Sequence, residues 1–425
     1  MGFDQNTPNG PPQMDALFKF LFAQDSPTLR VIGRRIVGWT LPPDWSEPVI
    51  ERLEWLTDVM RSQTGVEQRV RLRAQPRRSL EYRILTGTDR SRVLMENLLI
   101  SWQARVYGLP WWTDAVASAM AIPAGTRTLP VDATHRDFAV GGLLGVMYDL
   151  RAEFAEIESV EPHQLTLKRP LERTWPVGSR IAPVCPARVR NDQSLTYVTD
   201  VIVAAKTQFR LEEEGSLTAL PEGDDYQGYP VLLTPPDWRE DLDGGVGRDW
   251  RELDYLTGRR VIDDLSGMDR RRRVHRWLLV GRAAIADFRR WLAARAGRLK
   301  PFWLPSFQSD LVVVAPVGAQ DTSLTVENRG YATGPAAAVG RRDLLIHAVS
   351  GARFYRRILG ASEMDAASEQ ISMESPLGSA MATTDFLRIS FLTLVRLDAD
   401  AVEITHHTDA LAEVTLSLVT LRDDV

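Results

Sequence analysis

Cysteine is almost absent: Cys185 is the single one in 425 residues. One thiol closes no intrachain disulfide and builds no multi-cysteine metal site, so packing has to hold the fold. Histidine is nearly as scarce, and His135, His163, His275 and His347 stand alone without a spaced partner. H-E-x-x-H, G-x-S-x-G and G-x-x-x-x-G-K-[ST] are all missing, which removes the zinc-protease, nucleophile-elbow and P-loop signatures. No apolar run approaches the roughly 20 residues that cross a bilayer as a helix. Residues 1–12 are polar and lack the basic and apolar regions of a secretory leader, so a soluble protein made in the cytoplasm is expected. A large excess of one charge is missing too. The net charge of -5 gives no global attraction to nucleic acid or to anionic membrane.

What is present reads as globular: 44% hydrophobic and 25% charged residues. The most informative feature is a repeat. Leu41-Pro42-Pro43-Asp44-Trp45 returns as Thr234-Pro235-Pro236-Asp237-Trp238, and further echoes follow in the same order. Glu51-Arg52-Leu53-Glu54-Trp55-Leu56-Thr57 is matched by Arg251-Glu252-Leu253-Asp254-Tyr255-Leu256-Thr257, and Gly65-Val66-Glu67-Gln68-Arg69 by Gly267-Met268-Asp269-Arg270-Arg271. Leu109-Pro110-Trp111-Trp112 is matched by Lys300-Pro301-Phe302-Trp303, and Thr196-Tyr197-Val198-Thr199-Asp200 by Thr405-His406-His407-Thr408-Asp409. The offset stays at roughly 190–210 positions, as a duplicated unit with small loop insertions requires. Each copy is of ordinary domain size and long enough for its own core. The expected organisation is an N-terminal arm 1–41, a first module 42–213, a linker 214–234 and a second module 235–425.

The expected fold class is mainly β with some α. Each of two tandem duplicated modules is an antiparallel β-sandwich or barrel with one principal helix. Apolar spacing predicts helices over 90–107 and 282–296, with Gly108 and Gly297 as left-handed caps, and a short helix over 46–61. Strands are expected at 80–85, 276–280, 386–395 and, from alternation of Val414, Leu416 and Leu418, near the end. In the repeated turn the prolines fix the backbone and Asp44 or Asp237 caps it. Trp45 and Trp238, with Trp112 and Trp303, are read as structural anchors in the core, Pro43 and Pro236 belonging to the same device.

Two features invite a chemical reading. His406-His407-Thr408-Asp409 offers metal-ligand residue types, but adjacent strand residues face opposite ways and Tyr197-Val198 stands at the matching place. A solvent-facing hairpin is expected, with no metal and no cofactor. Glu212-Glu213-Glu214 and Asp263-Asp264 sit in turn-like polar contexts and read as solvated surface rather than as catalytic pairs. The basic stretches containing Arg69, Arg71 and Arg73 and then Arg271 and Arg273 occupy matching places in the repeat. They read either as contacts between subunits or as a solvated strand face.

The repeated residues are Pro, Gly, aromatics and turn motifs, which specify shape, so a structural protein is expected and no enzyme. Gly65-Val66-Glu67-Gln68-Arg69 with Pro76-Arg77-Arg78 and Tyr82-Arg83, then Leu109-Pro110-Trp111-Trp112, resembles minor tail proteins of long-tailed bacteriophages. The closing Phe391 to Val395, Asp400 to Thr405 and Ala412 to Leu418 are similar to the final strands of such proteins. The resemblance implies a distal tail or baseplate hub component at the virion tail tip, forming a ring between the tail tube and the receptor-binding apparatus. A trimer with pseudo-sixfold symmetry or a hexamer is expected, with tail tube, tape measure and hub proteins as partners and with no membrane or specific nucleic acid. A carbohydrate-binding adhesin and a tail-associated cell-wall hydrolase are the alternatives.

Overall fold

The computed structural model describes residues 13–20, 26–34, 37–190, 192–212, 217, 219–220, 223–239, 241–334 and 338–423. Residues 1–12, like Glu213 and Glu214 of the acidic triplet, lie outside them. The chain is mainly β, built on large antiparallel sheets. In chain order the first half contains β1 (Val49–Glu54), β2 (Thr57–Arg61), β3 (Glu67–Arg71), β4 (Arg77–Leu85), α1 (Asp89–Trp102) and β5 (Tyr107–Pro110). It continues with β6 (Thr128–Leu129), β7 (Leu143–Tyr148), β8 (Arg151–Glu161), β9 (Gln164–Leu167), β10 (Arg180–Val189), β11 (Leu195–Tyr197) and β12 (Val203–Leu211). The second half contains β13 (Gly244–Asp254), β14 (Arg260–Val280), α2 (Arg282–Arg295), β15 (Phe302–Pro305), β16 (Ser323–Glu327) and β17 (Asp343–Ala348). After these come β18 (Arg353–Glu363), β19 (Ser368–Met373), β20 (Phe386–Leu397), β21 (Ala401–His406) and β22 (Leu411–Thr420).

The two halves use one pairing scheme. In the first, β1 pairs β4, β4 pairs β12 and β12 pairs β10. β10 also holds β5 and β7, and β7, β8, β9 and β6 follow in turn. In the second, the same positions are filled by β13, β14, β22 and β20, then by β15 and β17, and then by β18, β19 and β16. Even the irregularities match. The β8–β9 register shifts between Ile157 and Ser159, and the β18–β19 register between Ile358 and Gly360.

The second half buries one apolar cluster of its own, around Tyr226, Trp303 and Leu392, and each half buries two that correspond. One lies between the main sheet and the helix, where Met95, Leu98 and Leu99 of α1 meet Trp39, Tyr82 and Phe209. Ile285, Phe288 and Leu292 of α2 do the same against Trp277, Val414 and Leu416. The other cluster fills the smaller β6–β9 or β16–β19 unit. α1 is capped by Thr88 and Ser91, whose side chains and backbone N–H groups bond reciprocally at 3.2 and 3.1 Å.

Several sequence expectations need correction. Residues 46–61 form a turn and then β1 and β2, not a helix. The inward positions of β1 are Val49, Glu51 and Leu53, and the buried Glu51 breaks the apolar alternation by which a strand is recognised. Gly297 does follow α2 in the left-handed region (φ 65°), but Gly108 lies inside β5 and α1 ends at a right-handed Gln103. Tyr107 faces Ala187 and Pro110 faces Val184, while Phe302 faces Val395 and Pro305 faces Leu392. The registers therefore align Tyr107–Pro110 with Phe302–Pro305, a four-residue slip from the sequence match, so Trp112 and Trp303 are not equivalents. Of the expected linker, Tyr226, Val231 and Leu232 are buried, Tyr226 packing against Trp303 and donating to Asp343 at 2.7 Å. Trp39 and Leu41, at the end of the expected arm, belong to the first core.

Candidate functional site

The repeated Pro-Pro-Asp-Trp turns dock alike. Asp44 N–H donates to the Arg83 carbonyl at 2.8 Å and Asp237 N–H to the Arg276 carbonyl at 2.7 Å. Each carboxylate faces the guanidinium of that same arginine, at 3.7 and 3.3 Å, and accepts a backbone N–H two residues on. Pro43 and Pro236 are buried. The tryptophans are not: Trp45 is 40% and Trp238 53% exposed, which corrects their reading as core anchors. Aspartate fixes the turn and tryptophan points outward, whereas Trp112 and Trp303 are buried and donate to Tyr82 Oη and the Tyr226 carbonyl.

The halves are joined strand to strand. β1 pairs antiparallel with β21, placing Val49 opposite His406 and Glu51 opposite Ile404. Leu53 and Trp55 leave the first half to enter the core of the second. At the centre lies Glu51, fully buried, with Arg78 Nη2 at 3.2 Å, Arg289 Nη2 at 3.1 Å and His406 Nε2 at 3.2 Å. Asp137 binds the same two guanidiniums at 2.8 and 2.7 Å. Burial alone would raise the Glu51 pKa, but Arg289, then the His406 hydrogen bond and Arg78, hold it down to about 2. Asp137 is half-buried, its side chain 30% exposed; desolvation pushes its pKa up, but Arg289 and Arg78 hold it below the ordinary carboxylate range. His406 is thus an interior residue of this junction, not part of a solvent-facing hairpin; His407 is exposed.

A second set of contacts ties the halves together. The β2–β3 hairpin lies on the second half, where Arg396 grips Glu67 through two hydrogen bonds of 2.7 and 2.9 Å, both side chains 5% exposed. Arg61 meets Asp249 at 2.7 Å and Arg422 donates to the Thr64 carbonyl at 2.8 Å. Asp400 accepts from Thr57 N–H, and Arg298 donates to the Thr57 carbonyl. At the head of α2, Arg282 donates to the carbonyls of Thr113, His135 and Asp409 and pairs with the buried Asp114.

The arginines singled out from sequence are dispersed by the fold. Arg69 is half-buried on β3, where burial and then Arg396 lower its pKa against the pull of Glu67. Arg71 is exposed, and Arg73 donates to the Glu54 carbonyl at 2.7 Å. Arg271 pairs with Asp269, and Arg273 is lowered by burial and then by Arg271 and Arg341. The registers align Arg271 with Arg78, so the two basic stretches are not equivalents. Of the acidic candidates, Asp263 and Asp264 pair with Arg251 and Arg248 on the exposed β13–β14 hairpin.

That hairpin carries the largest run of exposed apolar side chains: Val246 (77%), Trp250, Tyr255, Leu256 (92%) and Ile262. A cleft of about 620 Å³ lies where the halves meet, lined by Trp45, Trp112, Tyr148, Arg180, His407 and Asp409. Among the described residues, no group of three or more His, Cys, Asp or Glu side chains is arranged to hold a metal ion, and no helix is long and apolar enough to cross a membrane. Sequence reasoning missed the Glu51 cluster. Its one local signal is a charged residue at an inward position of an alternating strand. The sequence matches no protein-family model and no curated protein.

Proposed function

We propose that this protein is a structural subunit that assembles into a ring, built from two divergent copies of one module. The observation that carries the reading is the β1–β21 junction. Two halves with one pairing scheme are joined edge to edge, while among the described residues β13 pairs only with β14 and β11 only with β12. Open strand edges of this kind are templates for further chains. With the tail-protein likeness of its motifs, the proposed place is the tail tip or baseplate of a long-tailed phage. There the ring connects the tail tube to the hub or receptor-binding apparatus, with no catalytic step of its own. Native mass spectrometry at increasing concentration, with gold-labelled antibody on particles, tests this. A trimer or hexamer and label at the distal tail end are expected; a monomer throughout and unlabelled particles, intact or mildly disrupted, would overturn it.

A second reading rests on Trp45 and Trp238, exposed at equivalent positions, since outward indoles are stacking platforms for sugar rings. Binding on a glycan array that is lost in the double Trp→Ala variant would favour a carbohydrate-binding adhesin instead.

A further inference from the structure

We infer that the open edge of β13 docks on the open edge of β11 in a second copy of this chain, repeating between chains the β1–β21 junction found within one. The inference rests on the assembly reading above and adds the surfaces, their polarity and the register.

Equivalence of position supplies the argument. Glu51 faces Leu80 and Gly244 faces Arg273, so β13 stands to β14 as β1 stands to β4. Leu195 faces Ala205 and Ile404 faces Val414, so β11 stands to β12 as β21 stands to β22. Carrying the β1–β21 register across places Leu195 of one copy opposite Gly244 of the next, Thr196 opposite Asp243 and Tyr197 opposite Leu242.

The side chains at these edges lack the cover that their equivalents have. Leu53 is fully buried in the internal junction, and its counterpart Val246 is 77% exposed. His406 is buried, and its counterpart Tyr197 is 60% exposed. Gly244, Gly245 and Gly247 add a second line. None has a positive φ, and a Cβ on any of them would meet nothing, or only a carbonyl oxygen at 3.7 or 3.9 Å. Their own chain does not require glycine, and glycine within a strand often marks a place where another backbone comes close.

Charge is complementary as well. In the internal junction Arg78 and Arg289 flank Glu51. In the second junction Arg271 takes the place of Arg78, Gly244 that of Glu51, and Glu96 of the neighbouring copy that of Arg289. Tyr197 Oη already donates to Glu96 at 3.3 Å. Arg271, which keeps Asp269 beside it, then faces Glu96, which keeps Arg92 at 3.1 Å, and no buried carboxylate is left on the strand. The interface is head-to-tail, so it propagates and is satisfied throughout only in a closed ring.

The test is cross-linking between two full-length chains, each with Cys185→Ser, one carrying Thr196→Cys and a longer tag, the other Asp243→Cys. After mixing and mild oxidation with diamide, a covalent heterodimer is expected, because facing residues of an antiparallel pair have Cα atoms about 4.5–5.5 Å apart. Pairing Thr196→Cys with Val246→Cys shifts the register by three residues, about 10 Å, beyond the roughly 7 Å reach of a disulfide, and no dimer is expected. If native mass spectrometry finds the oligomer but the in-register pair stays uncoupled, or both pairs couple equally, this interface is wrong and the assembly reading stands. If the chains remain monomeric, both fall.

Discussion

Replacing Glu51 with glutamine removes one charge and almost no volume from the centre of the junction, so it isolates electrostatics from packing. Asp137 is then the carboxylate that still bonds both Arg78 and Arg289. The cost follows from linkage. The Glu51 pKa falls from its ordinary 4.5 to about 2, and each unit is worth about 1.4 kcal/mol, giving roughly 3 kcal/mol at neutral pH. That agrees with the 3–5 kcal/mol typical of breaking a buried ion pair, at the lower end because Asp137 still compensates both arginines. The sign is that of a depressed carboxyl: the stabilisation is complete well above pH 4.5 and is lost as pH falls through about 2. By pH 3 about half of it should remain. Urea unfolding followed by tryptophan fluorescence, on wild type and Glu51→Gln at pH 7 and pH 3, measures this. Groups that titrate identically in both proteins cancel in the difference. A gap that is the same at both pH values, or smaller than about 1 kcal/mol at pH 7, would refute the reasoning.

Other substitutions probe separate parts of the argument. Trp45→Ala and Trp238→Ala should each change stability by less than about 1 kcal/mol, while Trp39→Ala, fully buried, should cost about 3–5 kcal/mol in the same urea assay. Glu67→Ala leaves buried Arg396 with Asp398, at 3.6 Å, as its remaining carboxylate; a loss of about 3 kcal/mol is expected. Hydrogen exchange should then quicken over β2 and β3 but not over β18 and β19. Gly297→Ala should lower the melting temperature through a loss of about 1–3 kcal/mol. Its φ is 65°, and a Cβ there would sit 2.5 Å from Asp400 Oδ1 and 2.9 Å from Trp55 Cβ.

Much of the fold was legible because it is written locally. The apolar stripes of α1 and α2, the alternation of β22 and the Pro-Pro-Asp turns all obey short-range rules. What escaped depends on partners far along the chain. His406 reads as a surface histidine until Glu51, 355 positions away, is brought beside it. Glu51 disguised β1 for the same reason, since a buried carboxylate is tolerable only with Arg78 and Arg289 in place. Trp45 misled in the opposite direction: its apolar bulk argues for burial, but Asp44 and Pro43 already hold the turn. The slip between Leu109-Pro110-Trp111-Trp112 and Lys300-Pro301-Phe302-Trp303 arose because proline and aromatic residues recur on either side of one short strand, and only hydrogen-bond register separates the alternatives.

The pairing of β1 with β21 also sets a timetable for synthesis. Arg52 and Glu403, which bond across it, are 351 positions apart. At about 5–20 residues per second, β1 leaves the ribosome roughly 20–70 s before the strand that covers it. During that interval Leu53 and Trp55 have no core to enter, and neighbouring nascent chains on one messenger carry the same bare edge. Slower elongation lengthens the exposure, so yield of soluble protein should depend on translation speed more steeply than for a chain whose halves close independently.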